Sequence, residues 1–350
     1  MGLALLTLAV ALLVAEALVR YSAYRAEQLR SAQWLEFLAQ RREEKERRPG
    51  AHLSLNEIIQ PSAHPEIIYQ LCPDMEVTFH GVEVTVNEDG FRGPRVPQAK
   101  EDGVFRILGL GDSVMFGHGV DDGGEFLQVM LETLKQERPG RRFEVINTGV
   151  SGYNTAMEVA LLENVGLAWE PDLVIIDFVR NDFSLPNFIV DSPMDFLALD
   201  RSFLWEWVTV VSEQDGGFAN PMQPAGLTET GGTEDDPELV PSRYAHMVGH
   251  AGFRRAMTRL HELAEEHGFV LVVTTHRYRE PVVTETCQAL GIPLIRGEEA
   301  VNAYAQEHGI ESYRGSVLTV SDADPHPSAL QHRLLGEYYA KLLLATGTFD

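Results

Sequence analysis

The feature that most limits the fold of this chain is an alternation, from residue 105 onward, of short apolar runs with helix-like stretches. The apolar runs typical of strands are residues 105–110, 143–147, 173–178, 269–275 and 293–295. The stretches typical of helices lie near residues 124–137, 154–168, 244–267, 281–290, 298–308 and 328–345. Near-continuous apolar strands separated by helices predict an α/β protein with a three-layer, flavodoxin-like fold, in which helices cover both faces of a parallel sheet of about five strands.

The charge balance of the chain restricts its partners. Its 350 residues include 28 Lys and Arg against 52 Asp and Glu, which gives a formal net charge of −24. Binding to phosphate backbones requires a basic surface, so we expect no nucleic-acid partner. The two cysteines, Cys72 and Cys287, are too few for a disulfide scaffold or a cysteine-rich zinc site, and whether they form one bridge stays open.

The first nineteen residues are apolar apart from Thr7 and Glu16. As a helix they would be about 28 Å long, close to the hydrocarbon thickness of a bilayer, which predicts an uncleaved transmembrane anchor over residues 1–19. Ala15-Glu16-Ala17 loosely fits a cleavage site, so a cleaved signal peptide stays an alternative, as does a soluble helix. Residues 20–50 have mixed charges and predict a solvated helical stalk.

Two further regions lie outside the alternating pattern. Residues 51–104 predict a small β-rich lead-in, because valines alternate on both sides of a glycine as they do in a hairpin. The main domain is predicted to span residues 105–350, with an insertion at about 183–243. Residues 213–241 of this insertion are acidic and rich in Gly, Pro and Thr, which predicts a mobile or disordered loop.

The first half of the insertion is aromatic and contains Trp205 and Trp207. We interpret this part as a lid or an acyl-binding wall beside the site. The alternative is a satellite helix that packs on the core.

Polar residues follow the predicted strands at the edge of the sheet where α/β proteins bind ligands. The first strand leads into Gly111-Asp112-Ser113, the second into Ser151-Gly152 and the third into Arg180-Asn181-Asp182. Near the end of the chain, Asp324-Pro325-His326-Pro327 puts a histidine beside carboxylates. A serine, a histidine and donors to an oxyanion are the components of nucleophilic catalysis. Each block alone is also ordinary turn or helix-cap chemistry.

Taken together, the four ordered blocks resemble the SGNH (GDSL) hydrolases, and the resemblance covers roughly residues 105–345. Residues 87–93 also resemble the membrane-anchored bacterial members of this group. The resemblance implies a serine ester hydrolase of the esterase or lipase-like acylhydrolase type that requires no cofactor.

Carried over residue by residue, the resemblance implies that Ser113 is the nucleophile and His326 the general base. It also implies an oxyanion hole formed by the backbone N–H groups of Ser113 and Gly152 and the side-chain amide of Asn181. These four positions come from the four blocks described above.

The triad acid is less directly assigned by the resemblance. The family's usual last block is Asp-x-x-His, but Ala323 stands three residues before His326. Asp324 is the favoured acid, and Asp322 is the alternative.

Three further histidines are candidates for the crevice or for ordinary surface positions. His118 follows the nucleophile block and His276 ends the fourth strand, so both could line the crevice or be polar residues at its rim. His332 lies on the last helix and is expected to be exposed. No spacing of histidines and carboxylates indicates a metal site, so we expect no metal dependence.

The expected substrate is an acyl ester on a lipid, glycan or small molecule. An O-acetyltransferase or acetylesterase of cell-envelope polysaccharide is one alternative, and a catalytically degenerate glycan- or protein-binding module is another. Anchored relatives act outside the cytoplasmic membrane, so the resemblance predicts an extracytoplasmic catalytic domain held at the membrane by the N-terminal helix. The basic residues that follow the apolar run favour the opposite orientation.

Overall fold

The computed structural model describes residues 6–22, 24–25, 36, 52–190, 202, 204–205, 227–277 and 279–349. Residues 6–22 form helix α1. Across the described residues, no helix is both long enough and apolar enough to cross a membrane. The first five residues of the anchor predicted for residues 1–19, and most of the predicted stalk, lie outside the described residues, and the anchor stays a prediction. The extracytoplasmic location stays a prediction.

Short strands form the lead-in that comes before the main sheet. They are β1 (His52–Leu53), β2 (Ile59–Pro61), β3 (Tyr69–Leu71), β4 (Met75–Phe79) and β5 (Val82–Val86), with helix α2 (Leu55–Ile58) between β1 and β2. β4 and β5 form an antiparallel hairpin over the stretch where one was predicted. Its turn residues, His80 and Gly81, have φ angles of 49° and 84°, because a two-residue turn needs positive φ to match the twist of its strands.

The main domain has the predicted alternation of strands and helices. Its strands are β6 (Val104–Gly111), β7 (Arg142–Asn147), β8 (Leu173–Phe178), β9 (Phe188–Val190), β10 (Leu227–Glu229), β11 (Val270–Thr275) and β12 (Leu294–Arg296). Its helices are α3 (Ser113–Phe116), α4 (Phe126–Glu137), α5 (Thr155–Asn164), α6 (Gly249–His267), α7 (Pro281–Leu290), α8 (Glu298–Glu307) and α9 (Ala329–Ala345). Five strands pair in parallel in the order β12-β11-β8-β6-β7, which confirms the predicted parallel sheet.

Helices cover both faces of this sheet, because successive side chains of a strand point to opposite faces. Ile107 and Ile175 pack with apolar residues of α4, α8 and α9. Leu108 and Val174 pack with apolar residues of α5, α6 and α7. The result is a three-layer molecule in which the carboxyl ends of the strands form one open edge.

Residues 227–241, the described part of the loop predicted to be mobile or disordered, pack against the rest of the molecule. β10 pairs with β9, and both Leu227 and Val240 are buried in a cluster that includes the lead-in and α5. The acidic composition of the segment did not reveal these few apolar anchors. Residues 213–226 and Trp207 lie outside the described residues, and the Trp205 side chain is exposed.

The two cysteines do not form a bridge with each other. Both are buried, but Cys72 belongs to the cluster of the lead-in and Cys287 to the cluster on the α5, α6 and α7 side of the sheet. Each thiol therefore acts as a small apolar side chain in its own part of the core.

Candidate active site

Ser113 is the first residue of α3. Only Asp112 separates it from the end of β6 at Gly111. Asp112 caps this helix, since its Oδ1 accepts a hydrogen bond of 3.0 Å from the Val114 backbone N–H. The helix ends after one turn at Gly117, whose φ of 85° lies in the left-handed region. The block is therefore helix-cap chemistry that also presents the Ser113 hydroxyl at the open edge of the sheet.

His326 approaches Ser113 from the loop before α9. The backbone N–H of Val320 donates to the His326 carbonyl at 2.9 Å, and that of Ser321 donates to the Asp324 carbonyl at 3.1 Å. These bonds fix the loop so that His326 Nε2 lies 3.0 Å from Ser113 Oγ. Two residues far apart in the chain thus come within hydrogen-bond distance.

Asp324, rather than Asp322, contacts the imidazole of His326. Its Oδ1 lies 2.6 Å from His326 Nδ1 and also accepts a bond of 3.1 Å from the His326 backbone N–H. Partial burial alone would raise the pKa of Asp324, but these hydrogen bonds and the nearby imidazoles outweigh it and lower this pKa below its ordinary value. Among the described residues, no hydrogen bond joins Asp322 to His326.

The three residues expected to form the oxyanion hole all line the same cavity. Gly152 has a φ of 79°, and a Cβ at this position would come within 2.5 Å of the Asn187 side chain, so only glycine fits the turn. The Asn181 side chain donates to Asp112 Oδ2 at 2.8 Å. Within the described part of the chain, the backbone N–H groups of Ser113 and Gly152 have no hydrogen-bond partner. The two backbone N–H groups are therefore available as donors, whereas the Asn181 amide already donates to Asp112.

His118 stacks on His326, and His80 lies on the other side of His118. The His118 ring lies 3.9 Å from the His326 ring at an interplanar angle of 19°, and its Nε2 lies 3.2 Å from Asp324 Oδ2. The His80 ring lies 4.1 Å from the His118 ring. Burial, together with the neighbouring imidazoles of His326 and His80, lowers the pKa of His118 to about 3, so this ring is neutral.

Sequence reasoning identified His118 but missed His80. His80 lies at the hairpin turn of the lead-in, and nothing in the local pattern indicates that this turn reaches the sheet edge. The ligand atoms of His80, His118 and Asp324 all lie within 4.8 Å of one another, a spacing that could hold a metal ion. The residues come from three separate segments, so sequence spacing gave no signal for this cluster.

The other two candidate histidines lie away from the cavity. His276 is buried, with Nδ1 3.4 Å from Asp177 Oδ2, and it does not contribute to the cavity wall. His332 was expected to be exposed, but it is fully buried between α9 and α4. Its Nδ1 accepts a 3.1 Å bond from the Phe126 backbone N–H, and burial lowers the pKa of His332 to about 3. The prediction was wrong because this imidazole accepts a hydrogen bond from a backbone N–H in the first turn of α4, which has no acceptor within its own helix.

A cavity of about 560 Å³ lies in front of Ser113 and His326. The lead-in contributes Ser54, Leu55, Asn56, Phe79 and His80 to its wall. The insertion contributes Asn187, Phe188, Glu229, Gly231 and Gly232. The described insertion thus forms a wall of the cavity, through residues other than the tryptophans proposed for this role.

No protein-family model and no curated protein sequence matches the chain. Similar solved structures include an acetyl xylan esterase, AlAXEase, at 14% identity and a TM-score of 0.42, with 69% of this chain and 100% of that chain covered. A two-domain esterase active on acetylated mannans is 15% identical at a TM-score of 0.43, with 70% of this chain and 50% of that chain covered. A lipase/acylhydrolase from Enterococcus faecalis is 18% identical at a TM-score of 0.39, with 69% and 96% covered. The chain is similar to these three ester hydrolases over about 70% of its length.

Proposed function

We propose that the chain is a serine ester hydrolase of the SGNH type, with Ser113 as nucleophile, His326 as general base and Asp324 as triad acid. The observation that carries the proposal is the hydrogen-bonded series from Ser113 Oγ to His326 Nε2 at 3.0 Å and from His326 Nδ1 to Asp324 Oδ1 at 2.6 Å. This order of groups is what activation of a serine requires. The series faces a cavity large enough for a substrate.

The first chemical step is attack of Ser113 on the ester carbonyl. The ionised Asp324 carboxylate accepts a hydrogen bond from the Nδ1–H of His326, which leaves the Nε2 lone pair free to take the hydroxyl proton as the Oγ–C bond forms. The carbonyl oxygen becomes an oxyanion and receives hydrogen bonds from the Ser113 and Gly152 N–H groups and from Asn181.

The remaining steps return the enzyme to its starting state. The protonated His326 gives its proton to the leaving alcohol as the C–O bond breaks, which leaves the acyl group on Ser113. Water then attacks this acyl ester while His326 takes one of its protons, and the acid is released as the proton returns to Ser113 Oγ. Asp112 Oδ2 also lies 3.2 Å from Ser113 Oγ, so the resting hydroxyl has two acceptors.

A second candidate is an O-acetylesterase that acts on a carbohydrate. Several side chains that line the cavity are polar, among them Ser54, Asn56, Asn187 and Glu229. Hydroxyl-rich alcohols can exchange hydrogen bonds with such groups, while the apolar part of the wall, Leu55, Phe79 and Phe188, can contact a short acyl group. This observation favours a short acyl group on a polar alcohol.

The test is steady-state hydrolysis of p-nitrophenyl acetate and p-nitrophenyl octanoate. We expect Ser113→Ala to lower kcat by about 10³-fold or more, with an unchanged melting temperature. Ser242→Ala, which alters an exposed serine, is the matched control and should retain activity. A Ser113→Ala protein as active as the wild type would refute the proposal. A preference for octanoate would refute the carbohydrate candidate, and acetate release from an acetylated oligosaccharide would support it.

A further inference from the structure

Asp324 contacts His326 through Oδ1, and its other oxygen, Oδ2, belongs to a second side-chain cluster. His80, His118 and Asp324 each offer one ligand atom to this cluster, and these atoms lie within 4.8 Å of one another. We propose that the cluster is a binding site for a Zn²⁺-like divalent cation and that an ion bound there slows the neighbouring triad. The effect on activity rests on the proposed function, whereas the binding does not.

The distances suit zinc without large movements. His118 Nε2 and Asp324 Oδ2 are 3.2 Å apart. Two ligands at about 2.0–2.1 Å from a tetrahedral zinc ion are about 3.3 Å apart, so this pair already has the required separation. His80 lies on an exposed hairpin turn, and its ligand atom lies within 4.8 Å of the other two.

The chemistry of the cluster also favours zinc over magnesium or calcium. Two imidazoles and one carboxylate form a donor set typical of zinc, and a fourth position stays available for water. Magnesium and calcium prefer sites in which oxygen atoms supply the ligands.

The two oxygens of Asp324 connect the cluster to the triad. Oδ1 contacts His326 at 2.6 Å, while Oδ2 contacts His118 at 3.2 Å. A cation on Oδ2 leaves the bond to His326 in place but withdraws negative charge from the carboxylate. The imidazolium form of His326 that catalysis requires is then less stabilised, so kcat falls.

The binding test uses chelator-treated Ser113→Ala protein, which keeps all three ligands, titrated with ZnCl₂ in a calorimeter. We expect one saturable site and no comparable binding of MgCl₂. Adding His80→Ala should weaken zinc binding by about tenfold or more, the size of effect seen when the surroundings of a metal site are altered. The matched control is His246→Ala, since His246 lies 3.0 Å from Glu66 and forms an exposed histidine–carboxylate pair elsewhere.

The outcomes separate the site from the proposed function. Absence of saturable binding, or binding that His80→Ala leaves unchanged while circular dichroism shows a native fold, overturns the site. In the activity test, zinc should lower kcat of the wild type more than it lowers kcat of His80→Ala. Binding that depends on His80 without an effect on kcat overturns the inhibitory role. Binding that depends on His80 in a protein that hydrolyses no ester keeps the site and refutes the proposed function.

Discussion

His326 Nδ1 lies 2.6 Å from Oδ1 of Asp324, only two residues earlier in the same loop. The same oxygen also accepts the His326 backbone N–H at 3.1 Å, which is the local bond of an Asx turn. A single oxygen thus orients both the backbone and the ring of the histidine. The short Asp-x-His spacing therefore brings acid and base together, although it departs from the longer Asp-x-x-His block.

The first prediction concerns this carboxylate. Asp324→Asn should lower kcat by about 10²–10⁴-fold at neutral pH, because an amide neither fixes the imidazole tautomer nor stabilises its protonated form. Steady-state kinetics with p-nitrophenyl acetate measures the change. Asp322→Asn is the matched control in the same loop and should change kcat by about twofold or less. The reverse ranking of the two variants would make Asp322 the triad acid.

The second prediction concerns the oxyanion donors. Asn181→Ala should lower kcat by about 10²–10³-fold with little effect on KM, because its amide stabilises charge that develops only in the transition state. The control is Asn164→Ala at the C-terminal end of α5, where the asparagine side chain donates to the Ala160 carbonyl of its own helix. An Asn181→Ala enzyme with wild-type kcat would mean that the two backbone N–H groups suffice.

The main sheet could be predicted closely from the sequence. Each predicted strand end lies within one residue of the observed end, because the central strands are largely buried on both faces and their apolar runs stop where burial stops. The positions of Ser113, Gly152 and Asn181 at one edge follow from the same parallel order.

The rest of the site depends on contacts between distant segments. His80 reaches His118 through the lead-in hairpin, and Glu229 reaches the cavity through the pairing of β10 with β9. His332 has the spacing of a surface residue, yet its ring accepts a bond from the N-terminus of α4. Local periodicity carries no information about such partners, because it reports only how often a segment alternates between apolar and polar residues.

A third prediction concerns the packing beneath the nucleophile. A Cβ added at Gly149 would lie 2.4 Å from the Phe116 backbone nitrogen and 2.8 Å from the Met115 carbonyl carbon. These are backbone atoms of α3, which cannot move away by a change of rotamer. Gly149→Ala should therefore lower the unfolding free energy by about 1–3 kcal/mol and reduce kcat by displacing Ser113. Urea unfolding measures the loss. Gly140→Ala, where a Cβ would meet nothing within 4 Å, should leave both quantities near wild type.

The last prediction concerns the pH dependence of stability through His332. Burial lowers its pKa to about 3 in the folded chain, whereas a solvated histidine has a pKa of about 6.5. Between these pH values the unfolded chain binds a proton that the folded chain does not, so acidification favours unfolding. The penalty is absent above about pH 6.5 and grows as the pH falls, by up to about 1.4 kcal/mol per pH unit.

His332→Asn should remove this contribution while keeping an acceptor for the Phe126 N–H. Its unfolding free energy should therefore fall less steeply than that of the wild type between about pH 6 and pH 4. His118, whose pKa is lowered to about 3 in the same direction, is present in both proteins, so the difference in slope isolates His332. His308→Asn alters an exposed ring and should keep the wild-type slope. Equal slopes for His332→Asn and the wild type would mean that the imidazole gains its proton without unfolding the chain.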